Sequence, residues 1–160
     1  MIYMIVLLDN IRSLHNVGSI FRTADAVGAG KLYLCGITPI PKDRFGEVPA
    51  QLAKVALGAE QTVEWEKVST TASCIDMLKK QGFKIVALEQ AKNSIPYYSL
   101  PTTHYPLEKL ALVLGAEVDG IAPAILEKCD TIIEIPMHGK KESLNVAVAF
   151  GVIAYHLRYG

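Results

Sequence analysis

Short apolar runs alternate along the chain with segments in which apolar residues recur at every third or fourth position. The apolar runs are bounded by turn-forming residues and predict buried strands over 2–8, 31–36, 61–68, 83–90, 110–117 and 130–137. The periodic segments predict helices over 16–30, 52–60, 70–82, 120–129 and 143–156. Because strands that alternate with helices form parallel sheets, we expect an α/β fold, a mostly parallel sheet with helices on both faces.

Two segments show neither period. Residues 37–51 contain three prolines together with Lys42 and Arg44, which predicts a loop longer than most connections in a compact domain. Because long loops in compact domains are usually functional, this loop is a candidate binding segment. Residues 91–108 are expected to be irregular.

Composition limits the class of protein. The chain has 160 residues, 51% hydrophobic and 20% charged, which suits one core and one domain, 1–160. It excludes a disordered chain, and no apolar run approaches the roughly 20 residues of a membrane span. The N-terminal run MIYMIVLLDN lacks a basic leader and is expected to be a strand and not a signal peptide, which predicts a soluble, cytoplasmic protein. A net charge of zero argues against non-specific coating of nucleic acid.

Cysteine and histidine spacing gives no sign of a metal site. Cys35, Cys74 and Cys129 lie far apart in sequence, and none has a second Cys or a His at ligand spacing. We expect three buried thiols and no metal.

Three polar or glycine-rich turns follow predicted strands, at the edge where open parallel sheets bind their ligands. In the first, NVGSIFRTA, Asn16 is placed to cap a helix, Gly18 permits close approach, and Arg22 lies further along. In the second, LVLGAEVDGI, an aliphatic run stops at Gly115 and is followed by Glu117. Taken alone, each is more typical of an ordinary element, a capped helix with a surface arginine or a tight turn with a solvated acid.

The third turn, IPMHGKKESLNVAVA, places Ser143 and Asn145 at the front of a helix that is otherwise almost entirely apolar. Simple capping accounts for both residues when they are taken alone. A helix that is apolar all round is buried, either in the core of a monomer or against a second subunit. We expect a second subunit, with small residues for close packing and larger ones for apolar area: Ala147, Val148, Ala149, Gly151, Val152 and Tyr155.

In their order and content, the three turns resemble the SPOUT superfamily of RNA methyltransferases, in its TrmH-like (SpoU) branch, which methylates ribose 2′-hydroxyls with S-adenosylmethionine. The resemblance covers almost the whole chain. It rests on Asn16, Gly18, Arg22, Thr23 and Ala24, on Gly115, Glu117 and Gly120, and on IPM, Gly139 and SLNV. No G-x-G-x-x-G fingerprint occurs in the sequence, which disfavours an ordinary dinucleotide-binding fold.

The resemblance implies more than the pattern predicts by itself. It implies a C-terminal deep trefoil knot, which general topology rules would not predict, and a homodimer with sites near the subunit interface. It implies that S-adenosylmethionine binds at Leu114, Gly115, Ile135, Met137 and Leu144. It also implies catalytic positions at Asn16, Arg22, Glu117, Ser143 and Asn145.

Arg22 has two interpretations, as the base that activates the hydroxyl or as a cation that stabilises developing negative charge. Keeping a guanidine neutral at pH 7 costs roughly 9 kcal/mol. General-base catalysis typically contributes about 3 to 5 kcal/mol. We therefore favour a cationic Arg22 that holds a phosphate and stabilises the alkoxide, with water or phosphate taking the proton.

RNA is the implied partner, with tRNA as the first choice and rRNA as the second. Candidate RNA contacts are the basic residues of predicted loops, namely Arg12, His15, Lys42, Arg44, Lys140 and Lys141. Because Met1 leads almost directly into the first strand, we expect no RNA-binding extension before the catalytic domain. Substrate choice then has to come from loops, the dimer surface or an accessory partner protein. Two alternatives stay open: a methyltransferase of the same superfamily acting on a base or a protein side chain, and a non-catalytic RNA-binding or scaffold module.

Overall fold

The computed structural model describes residues 3–160, so Met1 and Ile2, where the first predicted strand begins, lie outside the described residues. The strands are β1 (Ile5–Asp9), β2 (Lys31–Cys35), β3 (Trp65–Val68), β4 (Lys84–Leu88), β5 (Ile95–Pro96), β6 (Leu110–Leu114) and β7 (Thr131–Glu134). The helices are α1 (Leu14–Val27), α2 (Ala50–Ala56), α3 (Ala59–Thr62), α4 (Thr71–Lys80), α5 (Pro123–Leu126) and α6 (Val146–Tyr159). Two 3₁₀ turns, Tyr97–Ser99 and Leu107–Lys109, lie between β5 and β6.

The described strands form one seven-stranded sheet in the order β3-β2-β1-β6-β4-β7-β5, and every pair in it is parallel. The central strands β1 and β6 are buried along their whole length, as expected for a sheet covered on both sides. One face packs against α1, α2, α3 and α6, and the other against α4 and α5. The predicted α/β fold with helices on both faces is confirmed. The trefoil knot stays a prediction of the family resemblance.

The start of α1 differs from the sequence prediction. Ser13 is the N-cap, and its hydroxyl accepts a hydrogen bond of 3.1 Å from the backbone N–H of Asn16. The prediction that Asn16 caps this helix is therefore wrong. Because a serine three residues upstream already takes the capping position, the Asn16 side chain is free to bond elsewhere. Gly28 ends the helix in the left-handed conformation, two residues before the predicted end at residue 30.

The start of α6, in contrast to that of α1, lies later than predicted. Asn145 is the N-cap, and its Oδ1 accepts hydrogen bonds from the backbone N–H groups of Ala147 at 2.9 Å and Val148 at 3.2 Å. Ser143 lies outside the helix and is exposed, so the prediction of a helix from residue 143 is wrong by one turn. A serine that precedes a helix and an asparagine that caps it give the same sequence signal.

Two smaller predictions need correction. Residues 91–108 are not wholly irregular, because β5 pairs with β7 through Ile95 and Pro96. A strand of two residues is too short to show an alternating pattern. Of the three cysteines, Cys35 and Cys74 are buried as predicted, whereas Cys129 is only half-buried. Among residues 3–160, no helix is long and apolar enough to cross a membrane.

Gly18 lies where helix α1 packs against helix α2. A Cβ at this position would lie 2.7 Å from both the Leu52 carbonyl oxygen and Val55 Cγ2. In an open helix position, replacing glycine by alanine stabilises by about 0.5–1 kcal/mol. Here the two helices would have to separate, so Gly18→Ala should instead destabilise the protein by about 1–3 kcal/mol in urea unfolding.

Ser19→Ala, at the next residue of α1, is the control and should change the free energy of unfolding by less than about 0.5 kcal/mol. A Gly18→Ala variant as stable as the unmodified protein would contradict the close contact.

Candidate functional site

A cavity of about 380 Å³ lies at the carboxyl edge of the sheet. It is formed by the ends of β4, β6 and β7 and by the start of α6, which is where parallel α/β sheets bind ligands. All five positions predicted from the resemblance to bind a cofactor line it: Leu114, Gly115, Ile135, Met137 and Leu144. Glu117, Ser143 and Asn145 line the same cavity. Two of the three predicted turns, the one after β6 and the one before α6, therefore meet around one space together with the end of β4.

The turn after β6, residues 115–120, needs glycine at both ends. Ala116 and Gly120 form an antiparallel bridge, with the Gly120 N–H donating to the Ala116 carbonyl at 3.0 Å. Gly120 has φ of 65°, a conformation that L residues rarely adopt. At Gly115, a Cβ would lie 2.6 Å from Ile121 Cγ1. The two glycines thus let the turn close tightly on itself.

Glu89, directly after β4, supports this turn and was not identified from the sequence. One carboxylate oxygen accepts a hydrogen bond of 2.8 Å from the Ile121 N–H, and the other accepts one of 3.0 Å from the Gln90 N–H. The carboxylate also fills the space beside Gly120 that any larger residue would need. The only signal in the sequence is an acid at the end of a buried strand, which is also typical of an ordinary surface loop.

Asn16, Glu117 and Asn145 form a chain of hydrogen bonds that joins the three turns. Asn16 Nδ2 donates to Glu117 Oε1 at 3.1 Å, and Asn145 Nδ2 donates to Asn16 Oδ1 at 3.0 Å. The Glu117 carboxylate also lies 3.4 Å and 3.5 Å from the backbone N–H groups of Ser13 and Arg12. Asn16 is 7% exposed and does not line the cavity, so it acts on the cavity through its two partners.

These donors determine the charge state of Glu117. Burial pushes the pKa of Glu117 upward, but the hydrogen bonds from Asn16 and from the backbone N–H groups of Ser13 and Arg12 outweigh it. The pKa of Glu117 therefore lies below the ordinary glutamate value, and the side chain is an anion at neutral pH.

Arg22, like Asn16, does not line the cavity, and among residues 3–160 it has no hydrogen bond to a residue that does. It lies six residues after Asn16 on α1, which corresponds to about 9 Å along the helix axis and a different face. The side chain is exposed to solvent and is not among those that line the cavity.

The candidate RNA contacts are exposed residues, but not all are in loops. Arg12, Lys42, Arg44, Lys140 and Lys141 are exposed outside helices and strands. The prediction is wrong for His15, which lies in the first turn of α1, because that helix begins two residues earlier than the sequence pattern indicated.

The lining of this cavity suits a ligand with an apolar part and a positive charge. Its walls include the aliphatic side chains of Leu88, Leu114 and Ile135, and its polar residues include the acids Glu89, Glu117 and Glu134. Within residues 3–160, no group of three or more His, Cys, Asp or Glu side chains is placed to hold a metal ion.

The fold and the cavity define a parallel α/β protein with a ligand site at the carboxyl ends of its central strands. Residues 3–155 match the SpoU rRNA Methylase family model, so the chain belongs to that family. The match includes all three predicted turns.

Relatives and solved structures agree with this assignment. The chain is 35% identical to a 23S rRNA (guanosine-2′-O-)-methyltransferase RlmB of Vibrio vulnificus, over 95% of this chain and 57% of that protein. An RlmB of Escherichia coli is also 35% identical, over 94% and 58%. The chain thus spans less than two thirds of these curated relatives.

Among solved structures, a TrmH/SpoU tRNA modifying enzyme of A. aeolicus superposes with a TM-score of 0.82 at 33% identity, covering 99% of this chain and 75% of that one. An AdoMet-bound rRNA methyltransferase of Sinorhizobium meliloti gives 0.84 at 27% identity, covering 98% and 56%.

The lowered pKa of Glu117 predicts a pH-dependent contribution to stability. Because the folded state releases this proton more readily than the unfolded chain, the contribution is present above the unfolded carboxyl pKa and is lost as the pH falls through the folded value. Glu117→Gln should therefore be less stable than the unmodified protein at pH 7, and the difference should shrink as the pH falls past the ordinary glutamate pKa of about 4.3 and vanish only below the lower pKa of the folded state. Thermal unfolding over this range measures it.

Glu142→Gln, which changes an exposed glutamate before α6, is the control and should follow the unmodified protein at every pH. A Glu117→Gln deficit that stays constant down to low pH would show that the effect is not ionic.

Proposed function

We propose that this protein transfers the methyl group of S-adenosylmethionine to a ribose 2′-hydroxyl in RNA. The observation that supports it best is the hydrogen-bonded chain of Asn16, Glu117 and Asn145 beside a cavity lined by all five predicted cofactor positions. Family membership and the names of the relatives point to the same reaction.

The first cavity fits S-adenosylmethionine in size and chemistry. Its volume of about 380 Å³ is within the range of pockets that enclose small ligands. Leu114, Ile135 and Leu144 would enclose the adenine ring, and Gly115 would let the backbone approach it. The carboxylates of Glu89 and Glu134 suit ribose hydroxyls and an ammonium group. When bound, the cofactor supplies an electrophilic methyl group on a positively charged sulfur.

The residues of the chain would orient the accepting ribose. Glu117 and Asn145 line the cavity, and Asn16 fixes the position of both. Ser143 lies exposed at the cavity, where its hydroxyl is available to a substrate. Holding the hydroxyl in line with the methyl group removes orientational entropy from the reaction, which accounts for much of the rate in such sites.

Arg22 would act as a cation. A guanidinium stays protonated in proteins, so it suits a phosphate contact and stabilisation of the developing alkoxide better than removal of a proton. Its exposure on α1 means that it would have to reach the site from a second copy of the chain.

A homodimer would also cover the apolar side of α6. Val148, Val152, Tyr155 and Tyr159 recur at helical spacing, and each is between 37% and 71% exposed. At Gly151, a Cβ would meet nothing within 4 Å, so packing within the chain does not require glycine at this position. This surface is the proposed contact with a second copy.

For the substrate we propose tRNA before rRNA. The relatives carry both descriptions, and the exposed basic residues are too few for tight non-specific binding.

Mapping 2′-O-methylation in RNA from cells with and without the protein would identify the target. If cells without the protein instead lack a methyl group on a base or on a protein side chain, the protein has the activity of other members of the superfamily. Absence of S-adenosylmethionine binding in calorimetry would indicate a scaffold.

Asn16→Ala and Arg22→Ala should each lower methyl transfer by about 100-fold or more while leaving cofactor binding nearly unchanged. The measurement is transfer of labelled methyl groups to tRNA and rRNA fractions from cells that lack the protein, with calorimetry for the cofactor. A variant that stays active excludes its residue from the reaction.

The origin of Arg22 can be tested with mixed dimers. One copy carries Arg22→Ala and the other Glu117→Ala, with different tags for purification. If each site combines Glu117 of one copy with Arg22 of the other, the mixed dimer has one intact site and regains about half of the activity, whereas a site built within one chain leaves it inactive.

Val152→Asp should weaken the dimer by about 100-fold or more, because it would bury a carboxylate in the proposed contact. Sedimentation at micromolar concentration measures the change. Phe45→Asp, at a side chain that is 74% exposed in the loop 37–51, is the control and should leave the dimer intact. An unmodified protein that sediments as a monomer contradicts the homodimer.

A further inference from the structure

A second cavity, of about 360 Å³, shares a wall with the first. Ala116 and Gly120, in the turn after β6, line both. The other residues around the second cavity come from the end of β1, the loop after β2, the start of α4 and the segment that leads into α5. None of the residues assigned above to the cofactor or to catalysis lines it.

Asp9 gives the second cavity a buried acceptor. It is 4% exposed at the end of β1 and lines the cavity. Both hydrogen bonds that its carboxylate accepts, from the Thr71 hydroxyl and from Asn10 Nδ2, end on Oδ1. Oδ2 has no hydrogen-bond partner among residues 3–160. Burial outweighs the hydrogen bond from Thr71 and raises the pKa of Asp9.

Asn10 holds this acceptor in place. It has φ of 55°, which asparagine tolerates better than most residues, and its Oδ1 accepts a hydrogen bond of 3.0 Å from the Ile37 N–H. The same amide group donates from Nδ2 to Asp9. The end of β1 and the loop after β2 are therefore joined at the edge of the cavity.

The N-terminus of α4 places donors next to this acceptor. Thr70 is the N-cap, and its hydroxyl oxygen accepts a hydrogen bond of 3.2 Å from the Ser73 N–H. The preceding N–H groups, of Thr71 and Ala72, belong to the first turn of the helix, where no intrahelical acceptor exists. Both residues line the cavity. Apolar side chains complete it, namely Ile37, Ala116, Ala122 and Ile125.

Backbone donors beside a carboxylate match one nucleobase better than the others. Guanine presents an acceptor, O6, followed by two donors, N1–H and the N2 amino group, along one edge. Adenine and cytosine place their amino group next to an acceptor, and uracil has a single donor between two acceptors. Splayed-out bases in RNA are read at this edge while apolar groups hold their faces.

We propose that the second cavity binds the guanine base of the nucleotide whose ribose is methylated. The α4 N–H groups would donate to O6, Asp9 Oδ2 would accept from N1–H, and the exposed carboxylate of Asp119 would accept from the amino group. The identification of the ligand as the target nucleotide rests on the proposed ribose methylation.

The relative positions of the two cavities suit one nucleotide. In a nucleotide, the base is attached to the carbon next to the one that carries the 2′-hydroxyl, so base and hydroxyl must occupy neighbouring sites. The turn 115–120 forms a wall of both cavities and carries Glu117, which lines the first. Arg12, which is exposed at the second cavity and whose backbone contacts Glu117, is placed for a phosphate.

Nucleotide binding tests the second cavity without methyl transfer. The full chain, labelled with ¹⁵N, is titrated separately with GMP, AMP, CMP and UMP, with and without S-adenosylhomocysteine to fill the first cavity. We expect GMP to shift the amide signals of Thr71, Ala72 and Gly120 with a Kd of about 1 mM or tighter. The other nucleotides should bind at least about tenfold more weakly.

Three variants assign the contacts. Asp9→Asn can keep its oxygen towards Thr71 and Asn10 but then presents an NH₂ group to the base, so it should lose the tenfold preference for GMP. Asp119→Asn tests the same preference at an exposed side chain. Arg12→Ala should weaken all four nucleotides about equally, since a phosphate contact does not distinguish bases. Asp76→Asn, an exposed carboxylate on α4, is the matched control.

Equal affinity for the four nucleotides, shifts confined to the first cavity, or no shifts at about 10 mM GMP would each overturn the proposal. A GMP preference that survives both aspartate variants would do the same. Failure of methyl transfer with a normal GMP preference would instead remove the proposed function and leave a guanine site. Methyl transfer without GMP binding would leave the proposed function and remove this site.

Discussion

A hydrogen-bonded chain that begins at one carboxylate fixes the geometry of the whole site. Glu117 is ionised and can only accept, so Asn16 must turn its NH₂ group towards it. Asn16 then offers its oxygen to Asn145, which must use its own oxygen to cap α6. Every amide has a single satisfactory orientation, set by the charge at one end and the helix N-terminus at the other. The bonds join residues 101 and 129 positions apart in sequence, so they report the tertiary fold directly.

The order of strands makes this chain of bonds possible. β6 lies between β1 and β4, and Leu8 of β1 is level with Leu114 of β6. The loop that leaves β1 and the turn that leaves β6 are therefore neighbours at one edge. On the other side of β6, the end of β4 supplies Glu89 to the same turn. Because Gly120 has no side chain, the Glu89 carboxylate can lie directly against the turn and support it. Both cavities use this turn as a wall, so its rigidity matters to each of them.

The sequence predicted the parts that depend on local chemistry. Buried strands produce apolar runs and turns collect glycine and polar residues, so the sheet, the three turns and the residues around the first cavity were foreseeable, in part through the family resemblance. The exact roles of Ser13, Asn16 and Ser143 could not be predicted, because any of several neighbouring polar residues could cap the helix equally well. Glu89 and Asp9 were missed for another reason. The role of an acid that follows a buried strand depends on which residues the neighbouring strands place beside it. The order of strands in the sheet cannot be predicted from any single segment of the sequence.

Asn145 connects the proposed reaction to the proposed subunit contact. Its Nδ2 belongs to the chain of bonds that ends on Glu117, while its Oδ1 holds the N–H of Val148, the first residue of the exposed apolar row on α6. α1, which carries both Asn16 and the exposed Arg22, packs against the same helix. A second copy seated on α6 would thus press on the cap that orients Asn16 and would come close to the surface from which Arg22 projects. Assembly and activity are then expected to depend on each other, because one asparagine takes part in both.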